Sequence, residues 1–169
     1  INSIGSKQSR KFYTKELFNY LKPYTKKLSK TSQNRLKNNP LRILDTKIDF
    51  EKNIIKACPK ILDFITKEDK EHFNKVLFLL DKLNIPYDID HLLVRGLDYY
   101  SKTVFEIQTN LLGAQSALGG GGRYDYLIKD LGGDETPAIG FAAGIERLIL
   151  ALNNNIEIPP PDIYIVILG

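Results

Sequence analysis

Apolar residues recur at helical spacing through the first half of the chain. Phe12, Leu17, Tyr20, Leu21, Tyr24 and Leu28 return every few residues, which predicts an amphipathic helix over residues 9–28, kinked or interrupted at Pro23. Asn39-Pro40 marks a turn, and residues 41–44 read as a short buried element. Two further helices are expected, a short one over residues 57–66 and a longer one over residues 67–83. The longer helix places Phe73, Val76, Leu77, Leu80 and Leu83 on one side, and Asn84-Ile85-Pro86 ends it. Residues 1–85 therefore read as a mainly helical lobe.

After Pro86 the period of the pattern shortens. Residues 87–91, 98–109 and 115–118 are rich in β-branched and aromatic side chains and read as strands with glycines between them. Within the second of these, Phe105 and Ile107 alternate with Glu106 and Gln108, so a half-buried antiparallel strand would turn Glu106 to a wet or functional face. Gly119 to Gly122 taken alone suits a flexible hairpin loop. Arg123-Tyr124-Asp125 opens a helix through Leu131, and the stretch from Gly140 to Leu150 reads as strand into helix with Ile145, Leu148, Ile149 and Leu152 on the core side. Residues 86–158 form this β-rich part. The prolines at 159, 160 and 161 predict an extended linker, and the apolar run over residues 163–168 the start of a further domain, within residues 159–169.

Composition narrows the class. With 169 residues, 43% of them hydrophobic, the chain can bury a real core. The longest apolar run, around residues 145–152, carries Glu146 and Arg147 and falls short of the roughly 20 residues that a bilayer span requires. Ile1-Asn2-Ser3-Ile4 has neither the basic start nor the apolar stretch of a secretory signal. A single cysteine, Cys58, cannot form an internal disulfide, and a reducing, cytoplasmic setting is expected. The chain contains no Met even at its first position, from which we expect a piece of a longer protein.

The net charge of +4 conceals a division. Residues 1–60 carry 15 Lys and Arg against 4 Asp and Glu, a net of +11, and the remainder carries 9 against 16, a net of −7. A field so concentrated favours an acidic polymer, because each neutralised phosphate releases condensed counterions. Nucleic acid is the leading partner for this segment, with Lys26 and Lys27 as candidate contacts. A solvated helix face would use the same lysines, and one helix can serve both readings.

Candidate chemistry falls in the β-rich part. Leu93-Val94-Arg95-Gly96-Leu97-Asp98-Tyr99-Tyr100 sets a cation and two phenols beside a glycine. The four glycines before Arg123-Tyr124-Asp125 leave bare backbone beside a polar aromatic ring, which suits close approach by a small flat ligand. The run neither continues into the Lys-Ser/Thr of a Walker loop nor matches the dinucleotide-binding spacing. Arg147 follows Ala143 and Gly144 by one helical turn, so its guanidinium stands over a shallow floor that suits a triphosphate or a nucleobase. Each motif also has an ordinary explanation: Arg95 paired with Asp98, the tyrosines in a core, and Arg147 paired with a carboxylate.

Together these segments resemble the later half of the catalytic domain of the class II histidyl-tRNA synthetases. Residues 93–106 resemble the first histidine-specific motif, residues 121–125 the second, and residues 140–150 class II motif 3. Asn39-Pro40-Leu41-Arg42-Ile43-Leu44-Asp45 resembles the family's helical insertion, and residues 163–168 the start of its anticodon-binding domain. The resemblance implies an α+β fold: the C-terminal part of a class II antiparallel-sheet core with a helical insertion lobe, the class II motifs 1 and 2 lying outside the chain. It implies a ligase that activates histidine with ATP and Mg2+, transfers it to tRNA(His), and works as a homodimer in its full length. Arg95 would contact the α-phosphate and the substrate carboxylate, and with Tyr99, Tyr100 and Tyr124 it would bind histidine. Arg147 over Gly144 would hold ATP, and Glu106 would support these cations from behind.

Departures are visible. Ser6-Lys7-Gln8-Ser9 and Ser29-Lys30-Thr31-Ser32 stand where some members carry Cys-x-x-Cys pairs, so no zinc or other metal site is expected. Ser101-Lys102 stands where Thr-Gly or similar residues are common. The chain alone is expected to be inactive or nearly so. Two alternatives remain open at this point: a non-catalytic histidine-sensing paralogue resembling the regulatory subunit of ATP phosphoribosyltransferase, and a lobe that is chiefly a nucleic-acid-binding module.

Overall fold

The computed structural model describes residues 1–94, 99–113, 116–152, 163 and 165–166. Four strands form one antiparallel sheet in the order β1 (Asn2–Ser3), β2 (Ser101–Gln108), β3 (Ala117–Arg123) and β4 (Ile139–Ala143). The four glycines suited to a flexible loop are instead the interior of β3, where Gly121 lies opposite Phe105 on one side and Phe141 on the other. Their purpose is steric. A Cβ on Gly121 would clash with the Gly140 carbonyl oxygen and stand 2.7 Å from the Cβ of Phe141, so β3 and β4 can approach only over bare backbone.

The helical layer is built from α1 (Lys7–Leu21), α2 (Lys30–Asn38), α3 (Asp49–Lys56) and α4 (Lys67–Lys82), joined by short 3-10 segments. The helix expected over residues 9–28 stops at Leu21. Pro23 then occupies the second position of the tighter Lys22–Lys27 segment, where its missing N–H leaves no helical bond unmade. The buried face of α1 is Tyr13, Leu17 and Leu21; Phe12, expected among the apolar positions, is 56% exposed and leans on Phe64 with ring centroids 6.0 Å apart.

The helix expected over residues 57–66 is absent from that position. The helix α3 lies about two turns earlier, and only Ile61–Asp63 is helical in the later stretch, because Pro59 disfavours helical backbone at Cys58 and supplies no donor. The helix α4 forms where expected. It ends in a left-handed Asn84 (φ 54°), with the Ile85 N–H reaching back to the Leu80 carbonyl at 3.0 Å. Of its expected apolar side Phe73 is buried, and Leu83 is 68% exposed.

Residues 87–91 do not form the expected strand. They run beside the first residue instead, the Ile1 amine donating to the Asp88 carbonyl at 2.9 Å and the Asp90 N–H to the Ile1 carbonyl at 3.1 Å. Tyr13, Leu17, Leu21, Leu36, Ile43, Ile55 and Ile61 share one apolar core with Tyr100 and Val104 of the sheet. Residues 2–3 belong to that sheet, although the sequence groups them with the helical lobe.

Beyond Arg123, α5 (Leu127–Asp130) and α6 (Ile145–Leu152) flank β4. Ile145, Leu148, Ile149 and Leu152, expected to face a core, are 39 to 69% exposed, since the principal neighbour of α6 is only the Asn110–Leu112 turn. Ile139 and Phe141 of the edge strand are equally open. The apolar run over residues 163–168 lies largely outside the described residues, and the three of it that are described are exposed. No helix among the described residues is long and apolar enough to cross a membrane.

At Lys102 the backbone is left-handed (φ 49°), at an irregularity of register between Ser101 and Val104. The Lys102 N–H donates to the Gly5 carbonyl and its carbonyl accepts from Ile4, so the conformation is fixed by the sheet edge. A non-glycine residue in that region costs roughly 1–2 kcal/mol, and the Lys102–Glu68 ion pair, with Glu68 84% exposed, offsets little of it. Lys102→Gly should therefore leave stability unchanged or raise it by up to about 1 kcal/mol in urea unfolding, against the usual loss for glycine in a strand.

Candidate functional site

Tyr100 and Tyr99 enter β2 from the loop side, and Tyr124 leaves the end of β3 beside them. The Tyr99 and Tyr100 ring centroids are 4.6 Å apart, and Tyr124 meets both nearly edge-on, at 5.6 and 6.4 Å. Bare glycines make this cluster possible. A Cβ on Gly122 would stand 3.0 Å from the Tyr100 ring, and one on Gly140 would stand 2.5 Å from the Tyr124 hydroxyl. The Tyr124 N–H donates to the Ala138 carbonyl at 2.9 Å, so its backbone is held just beyond the paired ends of β3 and β4. Gly144 and Arg147 lie together at the start of α6: the arginine stem lies across the bare α-carbon, where a Cβ would meet Arg147 Cδ at 3.1 Å.

Glu106 is half-buried on β2 and borders a groove of about 500 Å³ between sheet and helical layer, with Thr46, Ile55, Asp90 and Leu93 along its walls. A larger cleft of about 900 Å³ runs beside Thr103, Phe105 and Ile107 of the same strand and under α4. Arg95 lies outside the described residues, as do Gly96, Leu97 and Asp98. Lys26 and Lys27 are exposed in the last turn of the Lys22–Lys27 segment, away from the tyrosines in sequence. Among the described residues no group of three or more His, Cys, Asp or Glu is placed to hold a metal ion.

Sequence reasoning passed over a cation network beside the tyrosines. Arg123 forks onto Asp125, with Nη2 at 3.0 Å and Nε at 3.2 Å, and its Nη1 stands 3.4 Å from His72 Nε2 on α4. The Asp125 N–H donates to Ser101 Oγ at 3.0 Å, which ties the start of this turn to the first residue of β2. Burial, then the Arg123 and Lys102 charges, lower the His72 pKa, so the ring is neutral at pH 7 and can accept from the guanidinium. The available signal was Arg-x-Asp directly after a strand.

Two buried carboxylates were also passed over. The Asp69 carboxylate, with the residue 1% exposed, accepts from Ser9 Oγ at 2.6 Å and from the Ser6 N–H and Oγ, both at 2.8 Å. Glu51 is fully buried and accepts from Thr46 Oγ1 at 2.6 Å, the Ser29 N–H at 2.7 Å and Ser32 Oγ at 2.8 Å. Ser6 and Ser29 cap α1 and α2, each accepting from the N–H three residues on, and Thr66 caps α4 in the same way through Asp69. Burial pushes both acids up, but the donors converging on each outweigh it and leave both pKa values lowered. The legible signals were Ser-x-x-Ser before α1 and α2, and Thr-x-x-Asp before α4.

Among solved structures, apo histidyl-tRNA synthetase of S. aureus matches 89% of the chain at 41% identity with a TM-score of 0.66, and the match covers 36% of that protein. The fold is thus α+β, the C-terminal part of a class II synthetase antiparallel core with its helical insertion lobe. A family model for histidyl-tRNA synthetase matches residues 20–148, and the chain belongs to that family. The histidine–tRNA ligase of Protochlamydia amoebophila is 51% identical over 162 residues, 95% of this chain and 38% of the relative. That of Wolbachia pipientis is 52% identical over 169 residues, all of this chain and 41% of the relative. The chain accordingly spans about two fifths of the length of these relatives.

Proposed function

We propose that the complete protein to which this chain contributes is a cytoplasmic histidine–tRNA ligase and that Tyr99, Tyr100 and Tyr124 form one wall of its histidine pocket. The observation that carries this reading is the three-tyrosine cluster seated over Gly122 and Gly140. Phenol rings give an imidazole a flat apolar wall, and their hydroxyls can donate to or accept from its nitrogens. Arg147 across Gly144 offers the β- and γ-phosphates of ATP a permanently charged fork above a floor without side-chain bulk.

Arg95 acts on the reacting centre. When the histidine carboxylate attacks the α-phosphate, a new C–O–P bond forms and the bond to pyrophosphate breaks, and a fixed guanidinium stabilises the charge gathered at phosphorus. Glu106 supports these cations from β2. Mg2+ enters with ATP as part of the substrate, and histidine then passes to the end of tRNA(His). Residues 1–85 supply the tRNA-facing lobe, with contact at Lys26 and Lys27, and the complete protein is a homodimer. The 169-residue chain alone carries one wall of the pocket and is inactive.

Calorimetry of the complete protein with a histidyl-adenylate analogue tests this assignment. Arg95→Ala should weaken binding about 100-fold, as expected for removing a cation aimed at developing charge, and Tyr100→Phe or Tyr124→Phe about tenfold, through loss of one hydrogen bond in the pocket. Unchanged affinity in all three variants, or absence of histidine-dependent pyrophosphate exchange by the complete protein, would reject it.

A further inference from the structure

We propose that Arg123 and Asp125 are positioning residues for the histidine pocket: their ion pair clasps the backbone on either side of Tyr124 and fixes where that ring stands, with His72 of α4 as the stop behind it. This role rests on the ligase reading and deepens it at the same site. Successive side chains of an extended strand point to opposite faces. Arg123, the last residue of β3, turns into the cleft under α4 beside His72, Phe105 and Ile139. Tyr124 turns the other way and packs on Tyr99, Tyr100 and the common core. The Arg123 guanidinium then meets the Asp125 carboxylate through Nη2 at 3.0 Å and through Nε at 3.2 Å. The pair closes a short loop around a single residue, and that residue is Tyr124.

The contacts around that loop leave it little freedom. The Tyr124 N–H donates to the Ala138 carbonyl at 2.9 Å, the Tyr124 carbonyl accepts from the Leu127 N–H at 3.2 Å, and the Asp125 N–H donates to Ser101 Oγ at 3.0 Å. The Arg123 and Asp125 side chains are 28% and 14% exposed, so little water competes for the fork, and its two bonds set direction as well as distance. A lysine would match the charge but not the plane. His72 limits the guanidinium from the far side. Its Nε2 stands 3.4 Å from Nη1, and its Nδ1 is buried without a hydrogen-bond partner among the described residues, so the ring's polar contact is with Arg123. A cation that serves a ligand stays open toward it. Arg123 is instead committed to Asp125 and His72, on the face away from the tyrosines, and so braces Tyr124 rather than holding phosphate. Such a brace has a purpose, because misplacing a substrate-facing group by about 1 Å can cost on the order of a hundredfold.

Steady-state pyrophosphate exchange by the complete protein tests the clasp. Asp125→Ala should raise the KM for histidine roughly tenfold, the size of one lost hydrogen bond in the pocket, and leave the KM for ATP unchanged. A protein that is merely less well folded would show a lower kcat at constant KM, since KM does not depend on how much of the sample is active. Asp125→Asn, which keeps the shape and one acceptor, should recover most of the loss. His72→Leu should raise the KM for histidine about threefold, and His72→Gln, whose amide oxygen can accept from the guanidinium, should reverse it. The decisive comparison is made in a Tyr124→Ala background. There the clasp has no ring to hold, and adding Asp125→Ala should change the KM for histidine by less than about twofold. An unmoved KM for histidine in Asp125→Ala, an equal rise in the KM for ATP, the full rise persisting in the Tyr124→Ala background, or equal values in His72→Leu and His72→Gln would overturn the proposal. Absence of histidine-dependent exchange by the wild-type protein would reject the ligase reading and the clasp with it, whereas wild-type exchange with an unmoved KM in Asp125→Ala would reject the clasp alone.

Discussion

Glu51→Ala should lower the stability of the chain by about 4 kcal/mol, because three donors lose a charged acceptor at once. Thr46 Oγ1, Ser32 Oγ and the Ser29 N–H all converge on this fully buried carboxylate at 2.6 to 2.8 Å. A hydrogen bond to a charged group contributes roughly 1.5–3 kcal/mol, and the donors left behind keep their desolvation cost. The lost bonds join the start of α2 to the turn before α3, so the damage spreads beyond one side chain. The sign with pH follows from the lowered pKa. A carboxyl more acidic folded than unfolded contributes stability in full above its ordinary value near 4, and loses it as pH falls through the folded value. Urea midpoints from pH 7 downward should therefore fall in the wild-type chain as the acid range is entered. Because Asp69 shifts in the same direction, Glu51→Gln should remove only part of that slope, and an unaltered slope in Glu51→Gln would show that the carboxylate is not the titrating group.

Gly121→Val should cost at least about 4 kcal/mol and abolish the pairing of β3 with β4. Even a single methyl at this position would clash with the Gly140 carbonyl oxygen and lie 2.7 Å from both the Cα and the Cβ of Phe141. Backbone cannot withdraw as the end of a long side chain can, and steric overlap of this kind belongs among the most destabilising single changes. Gly140 and Tyr124 sit on the same two strands, so separating them also unseats the tyrosine cluster. Near-ultraviolet circular dichroism should lose tyrosine intensity in Gly121→Val and keep it in Gly132→Ala, whose added Cβ would meet nothing within 4 Å and whose cost is confined to the left-handed backbone (φ 93°) of the turn after α5. Retained tyrosine signal in Gly121→Val would contradict the steric account.

The readable parts of the chain were those whose pattern was local. The helix α4 has a cap, a periodic face and a left-handed asparagine stop all within its own span, and it forms where expected. The room that Gly144 leaves beside Arg147 is likewise a matter of three residues on one turn. Elements that depend on distant partners were misread. A run of glycines looks like a loop unless the neighbouring strand is known to require bare backbone, and only the pairing with Phe105 and Phe141 reveals that it does. Residues 87–91 are β-rich in composition, yet their partner is Ile1, almost ninety positions away, and the bonds made there do not amount to a strand. Tyr13 and Phe12 are adjacent, so one position in phase decides which is buried. The Tyr13 hydroxyl settles it by reaching the Pro59 carbonyl at 2.9 Å. The buried acids escaped notice because a charged residue is ordinarily placed on the surface, and their donors arrive from serines and threonines that read only as caps.

The pairing of Asn2 with Val104 bears on the order in which the molecule assembles. Joining two positions about a hundred residues apart carries a loop-closure entropy of about 4 kcal/mol before any bond returns it. The hairpins of β2 with β3 and of β3 with β4 close much shorter loops, and the helices close none. Each helix that condenses between residues 7 and 82 shortens the effective loop, and the Ser6–Asp69 contact brings its ends to the same corner. The short first strand is therefore expected to close last, as a latch, once the Ser6–Asp69 contact has gathered its ends.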